Sequence, residues 1–185
     1  MKNIDWKVDQ VVSASDMTQG VKEWNDILGN PPRMLASDAA TDRVMGDQVN
    51  PISWKSFDQY GGWTSFESGG GKRAFKVPVT GYYLICFMNT YDKPAEGGSK
   101  ILQQKLTVAD TAQGSGKRVI AETFSSSSRS GRFGCSSMAI ERLEKGKWLM
   151  MDLDAPWVGK ENWWSWARYD GEFNGYLSAC LVSLN

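Results

Sequence analysis

The 185 residues suffice for one domain with an arm, and 41% hydrophobic with 23% charged residues is the balance of a folded chain. The 21 basic and 21 acidic side chains cancel, which removes the electrostatic warrant for a nucleic-acid or membrane-surface partner. Histidine is absent, so Ser-His-Asp and Cys-His catalysis and the commonest zinc ligand are excluded.

The start, Met1-Lys2-Asn3-Ile4-Asp5-Trp6, lacks the apolar core of a secretory signal, and no run of eighteen apolar residues occurs to span a membrane. Synthesis in a bacterial cytoplasm is the expectation. Residues 11–30 carry a helix signal. Ser13 with Asp16 three residues on reads as a capping box, and Gly29 followed by Pro31-Pro32 as a stop. Met17, Val21, Trp24 and Leu28 recur at spacings of four, three and four, which places them on one helical face. So short an amphipathic helix needs a surface for its stripe: its own β domain, sister helices or another protein.

Beyond the prolines the period switches to two. Strands are expected at 33–39, 51–57, 73–77, 81–88, 100–108, 117–124, 132–143, 147–153 and 172–184. The stretch Ser68-Gly69-Gly70-Gly71 reads as a turn, and Ser125-Ser126-Ser127-Ser128 as a loop tip. Residues 81–88 are apolar at every position from Tyr82 to Met88, which predicts a central strand covered on both faces. In 100–108, Ile101, Gln103 and Lys105 face one way and Leu102, Gln104 and Leu106 the other. Strands at this spacing with no helix between them imply an all-β antiparallel sandwich from 32 to 185, with 1–31 as an N-terminal arm.

Chemical motifs fare poorly. Cys86, Cys135 and Cys180 lie far apart with no Cys-x-x-Cys spacing, so reduced, buried thiols are favoured over a bridged pair or a metal site. Gly69–Lys72 fails the phosphate-loop pattern, because Arg73 stands where a hydroxyl is required. Asp152-x-Asp154 and Asp170-x-Glu172 read as solvent-facing charges at strand ends rather than a calcium site or a glycosidase pair. No catalytic residue, metal ligand or cofactor is expected.

Residues 154–171 gather Trp157, Trp163, Trp164, Trp166 and Tyr169 in what reads as a loop before the last strand. Rigid aromatic rings serve equally as a plug over the core, a subunit interface or a stacking platform for a sugar. Burial in the core or in a subunit interface is the preferred reading, since aromatics at this density are usually covered.

Two stretches carry a resemblance. Val11-Val12-Ser13-Ala14-Ser15-Asp16-Met17, leading to Trp24-Asn25-Asp26-Ile27-Leu28 and Pro31-Pro32-Arg33, is similar to the N-terminal segment of many phage virion proteins. Those run through a short capped helix and open a β domain at a proline pair. Ala74-Phe75-Lys76-Val77-Pro78-Val79-Thr80-Gly81-Tyr82-Tyr83-Leu84 resembles a strand pair of tumour-necrosis-factor-like and complement-type heads. Ile140-Glu141-Arg142-Leu143-Glu144-Lys145-Gly146-Lys147-Trp148-Leu149 resembles a turn of the same heads, with Lys147 where an acid is usual. Glu172-Phe173-Asn174-Gly175-Tyr176-Leu177 resembles their final core strand.

The resemblance implies a ten-stranded jelly roll that trimerises about the sheet carrying the last strand, and a place in the virion as capsid decoration, head fibre or small fibre subunit. It also implies docking to phage capsid or tail proteins through the helix. A tail receptor-binding protein recognising host surface glycan, and a complement-type lectin or adhesin outside a virion, are the rivals. A depolymerase would need paired carboxylates in a cleft. Fold by itself does not choose among them.

Overall fold

The computed structural model describes residues 22, 27, 29–39, 43–45, 49–68, 70–93, 100–127, 131–154, 163–166 and 175–184. At 43–45, 49–50, 91–93, 100, 126–127, 131–133 and 163–166 the backbone alone is described. The face formed by Met17, Val21, Trp24 and Leu28 lies outside these residues. Of the expected helix, Lys22, Ile27 and Gly29 are described, and Ile27 packs partly buried against the core of the β domain.

The described residues form thirteen strands: β1 (Arg33–Ala39), β2 (Arg43–Met45), β3 (Val49–Pro51), β4 (Trp54–Tyr60), β5 (Thr64–Ser68), β6 (Gly71–Lys76), β7 (Gly81–Lys93), β8 (Lys100–Ala109), β9 (Arg118–Ser127), β10 (Gly131–Leu143), β11 (Trp148–Asp154), β12 (Trp163–Trp166) and β13 (Gly175–Ser183). Every pairing is antiparallel. The hydrogen-bonded path runs β2-β12-β7-β13-β1-β4-β6-β11-β8-β9, with β10 on the other edge of β7, β5 on β6 and β3 on β11. It folds back on itself into two layers. The first sheet is β4-β1-β13-β7-β10, and the second is β5-β6-β11-β8-β9. The Arg118–Glu141 ion pair, 2.9 Å, ties β9 to β10 where the two layers meet.

The period-two pattern dictates what lies between the sheets. Tyr83, Ile85 and Phe87 of β7, Leu102 and Leu106 of β8, Leu149, Met151 and Leu153 of β11, and Leu177 of β13 point inward and are at most 1% exposed. Trp54 and Trp63 complete this core, Trp63 meeting Tyr83 edge-on at 5.6 Å. Two glycines explain close approaches of the backbone. A Cβ at Gly81 would stand 2.5 Å from the Ser183 carbonyl oxygen, and one at Gly175 would collide with the Asn89 side chain.

Several expectations are corrected. The expected strand at 51–57 is two strands: β3 pairs with β11 in the second sheet and β4 with β1 in the first. Ile52 and Ser53 are where the chain changes layers, and the Ile52 amide is held by the Met151 carbonyl at 2.9 Å. The loop expected at 154–171 contains β12, so Trp163, Trp164 and Trp166 are strand residues. Their alternation suits a pairing to β2 and to the end of β7. Ser125, Ser126 and Ser127 extend β9 opposite Leu102, Ile101 and Lys100 instead of forming a loop tip. The expected turn at 68–71 is present: Ser68 pairs with Gly71, and Gly70 at φ 81° supplies the positive angle of a tight hairpin.

Candidate functional site

The outward face of the first sheet is the candidate site. Direct cross-strand partners share a face, so the register assembles it row by row. One row reads Arg33, Cys180, Leu84, Ile140 across β1, β13, β7 and β10. The next reads Leu35, Ser178, Cys86, Met138, and a third brings Tyr176, Met88 and Ser136 together. Tyr82 opposite Arg142, and Val182 on β13, extend the face at one end. Met138 is 67% exposed, Ile140 65%, Val182 48% and Leu35 42%. A single protein surface rarely keeps large apolar side chains contiguous over four strands unless something covers them. Its rim is polar at β4, where Asp58 stands opposite Leu35, and Arg33 lies 4.9 Å above the Tyr60 ring.

Among the described residues of one chain β7 is covered on one face, where the expectation was both. Tyr83, Ile85 and Phe87 are buried, yet Tyr82 and Met88 on the reverse are exposed, and Leu84 and Cys86 only half-buried. The apolar reverse has no cover among the described residues of its own chain. Sequence reasoning passed over Leu35, Met138 and Ile140 as site residues. The available signal was the apolar side chain at alternate positions of 132–143, on the side opposite Leu143.

The outward face of the second sheet is more polar, with Phe124 and Val119 its exposed apolar side chains on β9. Gln103 donates to Glu122, and Lys105 reaches Asp154 at 3.2 Å. Asp152 was expected to face solvent, but it is 2% exposed. It accepts two bonds from Lys117 Nζ at 2.7 and 2.9 Å and one from Thr107 Oγ1 at 3.2 Å. The 110–117 turn folds Lys117 back over this carboxylate, so burial is matched by a cation and a hydroxyl. Below it, Ala74, Ala109, Ala112 and Met150 form a small apolar cluster.

The remaining polar groups are structural in arrangement. Asn89 Nδ2 donates to Gln104 Oε1 at 2.7 Å, and Gln104 Nε2 to the Cys135 carbonyl at 3.2 Å, a fully buried bridge between the layers. Tyr83 Oη donates to the Val79 carbonyl at 2.8 Å, and burial holds its hydroxyl far above the ordinary tyrosine value. Burial likewise pushes the Cys135 thiol up. Lys147, standing where the resemblance has an acid, meets Asp110 at 2.5 Å, and that bond raises its pKa. A cavity of about 260 Å³ opens beside this pair, lined by Arg118, Arg142, Glu144 and Lys147 among others. Each of its three cations has a carboxylate partner: Glu141, Glu144 and Asp110.

All three cysteines are free. Cys180 is the diagonal neighbour of Cys86, since Ser178 stands directly opposite it. Diagonal pairs lie about 7–8 Å apart, beyond the usual disulfide span of about 4.4–6.8 Å between Cα atoms. Among the described residues no three His, Cys, Asp or Glu side chains gather as metal ligands. The aromatics Trp157 and Tyr169 lie outside the described residues, while Trp163, Trp164 and Trp166 are placed by backbone alone at the β12 edge, with Trp166 opposite Tyr91.

No family profile matches the sequence, and no curated protein matches it. Among solved structures, Eiger TNF from S. frugiperda is similar at 15% identity and a TM-score of 0.53, over 82% of this chain and 92% of that one. Murine APRIL at pH 8.0 is similar at 12% identity and a TM-score of 0.49, over 82% and 98%. The fold is a tumour-necrosis-factor-like jelly roll, as the motifs at 74–84, 140–149 and 172–177 imply.

Proposed function

We propose that this chain is a non-enzymatic virion subunit, a homotrimeric capsid decoration or small head fibre, joined through the outward face of its first sheet and anchored by residues 1–31. The observation that carries the trimer is the row structure of that face: Leu35 on β1, Val182 on β13, Leu84 on β7, and Met138 and Ile140 on β10, apolar and without cover among the described residues of one chain. Association of identical chains in a closed ring removes such a surface from water. The face also belongs to the sheet that contains the last strand, β13, where the resemblance puts the contact.

The virion half of the reading rests on the resemblance of residues 11–33. Met17, Val21, Trp24 and Leu28 recur at helical spacing, and such an apolar stripe is what the segment would offer to a larger structure.

The test is co-sedimentation with capsids or tails encoded beside the gene. The full chain is expected to sediment with the particle, and a chain starting at Pro32 is expected to stay folded and remain in the supernatant. Equal binding by both would move the anchor out of residues 1–31. An unfolded shortened chain would assign those residues to the core, and hydrolysis of host polysaccharide by the purified protein would sink the non-enzymatic reading.

A further inference from the structure

Sulfur is concentrated on the outward face of the first sheet. Met138 on β10 stands directly opposite Cys86 on β7, Met88 follows Cys86 by two positions, and Cys180 on β13 is its diagonal neighbour. Four sulfur side chains therefore occupy three adjacent rows of one face. Met138 and Met88 are exposed, and the two thiols are half-buried. Among the other described side chains the pattern reverses: Met34, Met150, Met151 and Cys135 are buried, at most 5% exposed.

We infer that this face is an oxidation-sensitive association surface: peroxide-class oxidants acting on Met138 and Met88, and on Cys86 and Cys180, stop protomers from joining while the jelly roll stays folded. The inference rests on the reading of this face as the contact between copies of the chain. In the reaction the peroxide O–O bond breaks, one oxygen bonds to sulfur and the other leaves as water. Sulfur loses two electrons, so a thioether becomes a sulfoxide and a thiol a sulfenic acid. Thioether oxidation requires access and no ionisation, and Met138 has the access. Cys86 and Cys180 are too far apart for a bridge without backbone movement, so each thiol is oxidised singly. A sulfoxide turns an apolar, flexible side chain into a polar one. Burying it between protomers without a hydrogen-bond donor opposes association. Assembly covers the face, so the oxidant acts on the single chain before it joins others.

The experiment treats the full chain with hydrogen peroxide at a series of dilutions, quenches with catalase, and reads light scattering, far-ultraviolet circular dichroism and peptide mass. The expected result is an added oxygen at Met138 and Met88 but not at Met150 or Met151. Association should weaken by at least about tenfold, a loss of roughly 1.4 kcal/mol, with the β-sheet spectrum unchanged. The Met88→Leu, Met138→Leu, Cys86→Ser, Cys180→Ser chain should keep its assembled mass through the same treatment. Full oxidation at Met138 and Met88 with undiminished mass overturns the inference, as do loss of the sheet spectrum and resistance of Met138 at every dilution. If the untreated chain is already monomeric at all concentrations, the interface reading fails first and takes this inference with it.

Discussion

On the second sheet the outward positions include Gln103, Lys105, Glu122, Asp152 and Asp154, each with a partner within its own chain, beside exposed Phe124 and Val119 on β9. On the first sheet the equivalent outward positions carry Leu35, Leu84, Met138 and Ile140, and the chain supplies them with no cover among its described residues. Both sheets bury the same kind of inward row, so the core does not distinguish them. The difference is that the turn 110–117 supplies Lys117 to the outward face of the second sheet, while no described segment of the chain lies over the outward face of the first. Charged groups that find intramolecular partners suit a face that stays in water, and apolar rows suit one that leaves it.

The largest effect should come from the inward side they share. Tyr83→Ala or Phe87→Ala opens a cavity in the common core and should cost about 3–5 kcal/mol in urea unfolding. A loss under about 1 kcal/mol would contradict the two-layer assignment. Next is the second sheet's own charge pairing. Lys117→Met leaves the Asp152 carboxylate buried without its cation and should cost roughly 3 kcal/mol, whereas Lys117→Met with Asp152→Leu should recover most of it. If the double change is as damaging as the single one, the ion pair is not what holds the turn to the sheet.

A smaller effect is expected at high pH. Folded Tyr83 keeps its proton above the ordinary tyrosine value of about 10. The unfolded chain releases it there, so the contribution is complete below about pH 10 and declines as pH rises further, by up to about 1.4 kcal/mol per unit. Tyr83→Phe should flatten that decline relative to the parent when unfolding is compared at pH 9 and 11. Equal slopes would mean the hydroxyl is not buried as described.

The smallest effect on folding should accompany Ile140→Glu on the first sheet's outward face. Stability of the single chain should change by no more than about 0.5 kcal/mol. A large destabilisation would mean this face is covered by its own chain and the contrast between the sheets is lost.

Legibility followed the reach of each determining contact. Alternation alone placed β1, β8, β10 and β11 to within one or two residues, because burial on one face imposes period two regardless of partners. The short strands β2, β3, β5 and β12 were missed, since three to five residues carry too little pattern to stand out. Asp152 was misread because the Lys117 that permits its burial lies 35 residues away in sequence. For β7 the apolar pattern was read correctly and its cause was not. Sequence reports that both sides of Tyr82–Met88 are apolar, but it cannot say that the second side is met by no other segment described in the same chain. The aromatic residues Trp163, Trp164 and Trp166 were singled out for their number, and backbone pairing now places them at the β2–β12 edge.

The most direct measurement is light scattering on the purified full chain beside its Ile140→Glu variant at matched concentration. The account predicts three times the chain mass for the parent and a folded chain of unit mass for the variant. A parent that stays monomeric at every concentration, or a variant that assembles as well as the parent, would contradict the claim that the outward face of the first sheet is where copies of this protein meet.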